Sequence, residues 1–217
     1  MRIWAAGNGR LKMSLKGSGE VSKLAYTPDS GYIAVGYDSG AIRYFGADSG
    51  KLYQTLTGHD RAIGGLAVSA DGKLLASTEL TGDTVKIWQL SDGKQLRTLG
   101  SNLNSRTLQF APNGSTLAVG DGNGGVTLWN AASGSKLGTL NGHNKPVDAL
   151  AFSGNGKLLA TGGSDETVVL WDVSSRQKLR SLTGHKLEVF DLAFAPSGEY
   201  LAATGTGRSV KVWSISN

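Results

Sequence analysis

Residues 142–182 read GHNKPVDALAFSGNGKLLATGGSDETVVLWDVSSRQKLRSL, and this stretch decides the fold. Val147-Asp148-Ala149-Leu150-Ala151-Phe152 alternates apolar and polar side chains, then Gly154-Asn155-Gly156 breaks the pattern. Leu158-Leu159-Ala160-Thr161 follows, then a Gly/Ser/Asp stretch, Val168-Val169-Leu170-Trp171, another turn, and Lys178-Leu179-Arg180-Ser181-Leu182. Short apolar alternations bounded by turn residues are the signature of strands. The segment therefore predicts four short strands, named a, b, c and d in order.

Working outward, the same order recurs along the chain. Trp4, Phe45, Trp88, Trp129, Trp171 and Trp213 mark the end of strand c, at steps of 41, 43, 41, 42 and 42 residues. The a–b turns repeat as Asp29-Ser30-Gly31, Ala70-Asp71-Gly72, Pro112-Asn113-Gly114, Gly154-Asn155-Gly156 and Pro196-Ser197-Gly198. Asn-Gly and Asp-Gly tolerate the positive φ of tight hairpins. The d–a connections carry Gly58, Gly100, Gly142 and Gly184, three of them followed by His59, His143 and His185. An internal period of this size means a solenoid, propeller or array. A four-stranded sheet of this length cannot bury both faces alone, and copies stacked face to face around an axis can. The expected fold is all-β: a single domain over residues 1–217, a β-propeller of about five four-stranded antiparallel blades.

These residues resemble the WD40 repeat family over essentially the whole chain. The resemblance implies a buried hydrogen-bonded tetrad in each repeat, complete here as His143, Thr161, Asp165 and Trp171. The second repeat offers a partial set, His59, Ser77, Asp83 and Trp88, with one extra residue shifting Asp83. The third has Ser101, Val119 and Asn123 around Trp129. The fifth keeps His185 and Trp213 but carries Ala203 and Gly207. The first uses Val35, Ser39 and Phe45. By resemblance, partners contact the face bearing the d–a and b–c loops, at positions flanking the first apolar residue of strand a. Those are Glu20 and Ser22, Ala62 and Gly64, Asn104 and Arg106, Pro146 and Asp148, Glu188 and Phe190. Phe190, Glu188, Arg106 and Asp148 are the candidate partner-binding residues, since Phe and Arg are types found at interface hot spots. Phe190 also follows Val189, so the two side chains point to opposite faces of a strand.

Catalysis is not expected. The chain holds three histidines, and each occupies a Gly-His position. None is left for a general base or a metal ligand, and without cysteine a zinc site is disfavoured. The Asp165–His143–Thr161 grouping has the outline of a catalytic triad but reads as a blade-edge network. Glycine-rich stretches such as Gly120–Gly125 lack the helix and the Lys-Ser/Thr of a phosphate loop, so no cofactor is expected. The net charge of +5 is scattered without a basic run, which argues against nucleic acid. No apolar run approaches membrane-spanning length, and a chain without cysteine suits the cytoplasm. The expected role is a scaffold that binds a protein or peptide on the loop-bearing face; the alternatives are a self-associating or complemented propeller piece with a structural or assembly role, and weak nucleic-acid binding through the basic surface.

The ends of the repeat are its irregular part. The chain opens on a strand c and a strand d, continues through four full sets, and ends on a, b and c, which makes 21 strands. Five closed blades need 20, so Trp4 and Trp213 claim one position. Three readings follow: a closed five-blade ring with the first strand d completing the last blade, an incomplete propeller completed by another chain or by self-association, or a piece of a longer chain. Relatives by resemblance most often have seven blades.

Overall fold

The computed structural model describes residues 1–15, 17, 19–80 and 82–215. A half-blade opens the chain, with β1 (Arg2–Trp4) paired to β2 (Leu11–Ser14). The first blade holds β3 (Val21–Tyr26), β4 (Tyr32–Tyr37), β5 (Ile42–Gly46) and β6 (Leu52–Leu56). The second holds β7 (Ile63–Val68), β8 (Leu74–Glu79), β9 (Val85–Gln89) and β10 (Gln95–Leu99). The third holds β11 (Ser105–Phe110), β12 (Thr116–Asp121), β13 (Gly125–Asn130) and β14 (Lys136–Asn141). The fourth holds β15 (Val147–Phe152), β16 (Leu158–Gly163), β17 (Val168–Asp172) and β18 (Lys178–Leu182). The fifth has three strands, β19 (Val189–Phe194), β20 (Tyr200–Gly205) and β21 (Val210–Ser214). All pairings are antiparallel meanders, so each blade follows chain order. The repeat turns behave as their residues require: Gly114 and Gly156 sit at φ 71° and 69°, where a side chain would be strained.

The core lies between blades rather than within them. Each of the five junctions among the described residues has its own apolar cluster. The second strand of each flanked blade is almost wholly buried, and β16 runs Leu158–Gly163 with all but its first residue buried. The outer strands are exposed except for a closing leucine: Leu56, Leu99, Leu140 and Leu182. Successive sheets approach closely because glycine faces a β-branched side chain. A Cβ on Gly36 would meet Ile63 at 2.8 Å, on Gly120 would meet Val147 at 2.9 Å, and on Gly162 would meet Val189 at 2.6 Å. The junction of the second and third blades replaces this pair with a hydrogen bond between Thr78 and Ser105, both fully buried.

The blades form an open arc: of the three readings, the closed five-blade ring does not occur, and the structure is consistent with an incomplete propeller. β2 pairs with β1 alone, and β21 pairs with β20 alone. The innermost strands touch in the order β3, β7, β11, β15, β19, with no extended contact returning from β19 to β3. The reason is local. β1 reaches β2 through a short loop whose closure is entropically cheap. The Met1 carbonyl accepts the Leu15 N–H at 2.9 Å, and Ile3 and Met13 pack on the first blade. β2 therefore has a partner before β21 is near. Both ends of the arc stay bare, with Trp4 54% exposed at one and Val210 68% exposed at the other.

Candidate functional site

Two sets of residues singled out by sequence take different positions in the blades. The first is the polar network at the blade edge. In the fourth blade, the Trp171 indole donates to Thr161 Oγ1 at 3.0 Å, and His143 Nε2 lies 2.7 Å from the same hydroxyl. An indole N–H can only donate, so the hydroxyl accepts from it; the Asp165 carboxylate can only accept, so Nδ1 holds the proton of a neutral His143 ring and Nε2 accepts from the hydroxyl. His143 Nδ1 donates to Asp165 at 2.9 Å. Asp165 also accepts from Thr167 Oγ1 at 2.7 Å. Burial pushes the Asp165 carboxyl up, but the bonds from His143 and Thr167 outweigh it and hold the group below the usual carboxylate range. Thr161 is fully buried and its oxygen is fully engaged, so the triad-like outline offers no nucleophile to a substrate.

The second blade builds the same network with one change from the expected set. His59 Nε2 and the Trp88 indole both lie 2.7 Å from Ser77 Oγ. The acid beside His59 Nδ1 is Glu79, at 3.5 Å, and not Asp83. Asp83 is exposed, and its carbonyl accepts the Leu103 N–H at 3.0 Å. The extra residue in this loop turns Asp83 toward the third blade. Glu79, at the end of β8, has the longer side chain needed to reach back. Burial holds the His59 ring below the ordinary histidine value despite Glu79. In the third blade the Trp129 indole nitrogen is buried without a partner among the described residues, as is Nε2 of His185 in the fifth.

The second set lies on the loop-bearing rim. Each β-strand a carries a bulge against strand b just after its first residue: Val21/Lys23, Ile63/Gly65, Ser105/Thr107, Val147/Ala149 and Val189/Asp191. A bulge leaves its extra residue unpaired and re-aims the side chain. The five residues so released are Ser22, Gly64, Arg106, Asp148 and Phe190, one per blade. Gly64 is buried, while Phe190 is 48% exposed although Val189 beside it is fully buried. Glu188 is also exposed. Arg106 Nε donates to Asp148 Oδ1 at 2.6 Å, bridging the third and fourth blades. Ser164 Oγ takes the other Asp148 oxygen at 2.8 Å. Arg106 is thus held in one orientation, and its two terminal nitrogens have no hydrogen bond among the described residues. Sequence reasoning named these positions but could not pair them, because the ion pair spans 42 residues and two blades.

Among the described residues, no group of three or more His, Cys, Asp or Glu is placed to hold a metal ion. No helix is long and apolar enough to cross a membrane.

Comparison with known proteins agrees with this repeat. A family model described as "WD domain, G-beta repeat" matches residues 9–45, 50–89, 93–130, 134–172 and 176–214. Autophagy-related protein 16 of Arabidopsis thaliana is 27% identical over 148 residues, which cover 68% of this chain and 29% of that protein. Periodic tryptophan protein 2 of the same plant is 30% identical over 131 residues, covering 59% of this chain and 14% of that protein. An uncharacterized WD repeat-containing protein of Synechocystis, sll1491, is 33% identical over 98 residues, covering 45% of this chain and 28% of that protein. The chain spans less than a third of the length of each of these relatives.

Proposed function

The chain belongs to the WD40-repeat family, and on that premise we propose that it is a non-catalytic scaffold that binds a protein or peptide on its loop-bearing rim. The observation that carries this reading is the row of bulge residues, with Arg106 oriented by Asp148 and Phe190 exposed. A guanidinium fixed through Nε presents its two remaining nitrogens as a fork for a carboxylate or for backbone carbonyls. An exposed aromatic on the same rim supplies apolar contact area at low entropic cost. Glu188, beside Phe190, adds an acceptor. A reducing compartment such as the cytoplasm suits a chain without cysteine.

The test is affinity capture from an extract of the cells that make the protein. Wild type is compared with Arg106→Ala and Phe190→Ser, and with Lys157→Ala on the opposite rim. Capture of a protein by wild type and Lys157→Ala, lost with the other two, supports the reading. Identical capture by all four removes the rim from consideration.

A second reading rests on a different observation. The outward face of the fifth blade exposes Val210 and Val212 at 68% and 61%, and β21 has no outer partner. Bare apolar faces and strand edges favour association, here with a second copy or another chain. Light scattering settles it: a mass of 22.6 kDa that is stable on concentration removes self-association.

A further inference from the structure

Five of the six tyrosines fall in residues 26–53, in or beside the first blade. One of them is out of place. Tyr44 stands where Ile87, Leu128 and Leu170 stand in the next three blades, so packing there does not call for a phenol. Tyr32 stacks on it at 4.8 Å, and Tyr53 meets Tyr32 edge-on at 5.1 Å. Tyr44 is only 7% exposed, and its hydroxyl makes no hydrogen bond to any described residue. The hydroxyl oxygen is not sealed in the core, so a donor entering from solvent can pair with it.

Tyr44 lines two adjoining cavities of about 580 Å³ and 270 Å³, which share Gly72 as well. Together they form a cleft between the first and second blades, on the rim of the a–b and c–d turns. The larger cavity has an apolar floor from Leu74 and Leu90. The smaller holds two carboxylates, Asp29 and Asp71. Each carboxylate caps its own turn, Asp29 by accepting from Thr27 and Gly31, and Asp71 by accepting from Ser69 and Lys73. Capping alone does not require charge: Asn113 and Asn155 do the same work in the third and fourth blades. At this turn position the negative charge is thus confined to the two blades that flank Tyr44. Those turn bonds hold both carboxyls below the usual range, so they are ionised at neutral pH. Burial, then Tyr32 and Asp29, pushes the Tyr44 phenol up to about 12, so it stays neutral. Asp29 has no ion pair among the described residues, and Asp71 has only the loose, largely exposed Lys73 at 3.8 Å.

We propose that this cleft binds the cationic side chain of a basic peptide, with arginine the best fit. The aliphatic stem lies on Leu74 and Leu90, the guanidinium sits between Asp29 and Asp71, and the Tyr44 hydroxyl accepts one of its N–H groups. The match is one of charge and of donors to acceptors: Asp29, Asp71 and the Tyr44 hydroxyl offer acceptors, a guanidinium supplies donors only, and the exposed Lys73 ammonium beside Asp71 is the cation it displaces. This rim is opposite the one with Arg106 and Phe190, so the two readings stand or fall separately.

The experiment is an amide-resolved NMR titration of the whole chain with acetyl-Gly-Arg-Gly-amide, and with the Glu counterpart as control. The arginine peptide is expected to shift the Gly72 and Gln89 amides at millimolar concentration, and more weakly in high salt. The Glu peptide is expected to leave them in place. The protein's own repeats supply conservative variants: Tyr44→Leu, Asp29→Asn and Asp71→Asn. Each should weaken binding by about two- to fivefold, the range for one exposed charge pair or one hydrogen bond. No shifts at tens of millimolar peptide would overturn the proposal. So would equal shifts from the Glu peptide, or undiminished binding by the triple variant with an unchanged melting midpoint.

Discussion

The fourth and fifth blades begin with the same Gly-His, end strand c on the same tryptophan and carry the same bulge, yet they differ in what holds them. In the fourth, every polar group of the edge network has a partner. In the fifth, Ala203 stands in place of Thr161 and Gly207 in place of Asp165, and His185 Nε2 is buried alone. The His185 ring nonetheless keeps its place, tilted against Trp213 at 5.8 Å. Ring packing therefore suffices to seat the histidine, and the network adds to that rather than creating it. The blades differ again in their outer strand. Trp171 faces the third blade and is 2% exposed, whereas Trp213 faces the fourth in the same way but is half-buried, because its sheet ends at β21 without the outer strand that covers Trp171.

The largest effect comes from the rings. Trp171→Ala should cost about 3–5 kcal/mol, the range for emptying a fully buried aromatic site. Trp213→Ala should cost less, because part of that ring already meets solvent and less apolar area leaves water on folding. Urea unfolding midpoints of the two variants make the comparison. Equal losses would mean that something covers the outer edge of β21 in solution.

The network itself comes next. Asp165→Ala leaves His143 Nδ1 without its acceptor in a buried site and should cost about 1–3 kcal/mol. An unchanged melting midpoint would show that the fourth blade is held, like the fifth, by shape alone. The converse change is smaller and opposite in sign. Ala203→Ser should stabilise by about 1 kcal/mol, because a hydroxyl there can bridge His185 and Trp213. Ser77 already does this for His59 and Trp88 at 2.7 Å on both sides. A loss of stability would mean that the fifth blade has relaxed into a spacing that no longer accepts the bridge.

How much of this could be read from the sequence depends on the range of each cause. The strands were legible because their causes are local: alternation within six residues and a turn residue at each end. The fourth blade's tetrad residues could be placed because the repeat supplied their register. Asp83 was misplaced because one inserted residue turned the loop, and Glu79 could take over only through the reach of its side chain. Closure was not legible, since β2 could pair with β1 or β21 and only geometry decides. The Tyr44 cleft lies between two blades, so no single repeat reveals it. Its one trace in the sequence is a tyrosine where the next three repeats have Ile or Leu.

The smallest effect separates the two blades by pH. Burial, then Lys211, holds the His185 ring below the usual histidine value of 6.5. The unfolded chain therefore takes up its proton first as pH falls. The contribution of a neutral His185 is complete above about 6.5 and is lost as pH drops through that value toward the folded one. Asp165 has a lowered carboxyl, so its contribution persists until pH falls below the ordinary carboxylate value of 3.8. Between pH 7.5 and 5.5 the fifth blade should weaken while the Asp165 bond of the fourth holds. His59 is lowered as well, and adds a slope of the same sign from the second blade. Urea midpoints at the two pH values, for wild type and for His185→Phe, isolate the fifth blade's share. Phe keeps a ring against Trp213 and removes the titration, so its slope should be shallower than that of wild type but not flat. Equal slopes would mean that the His185 ring reaches water in solution, and that the fifth blade is looser at its edge than its seat against Trp213 implies.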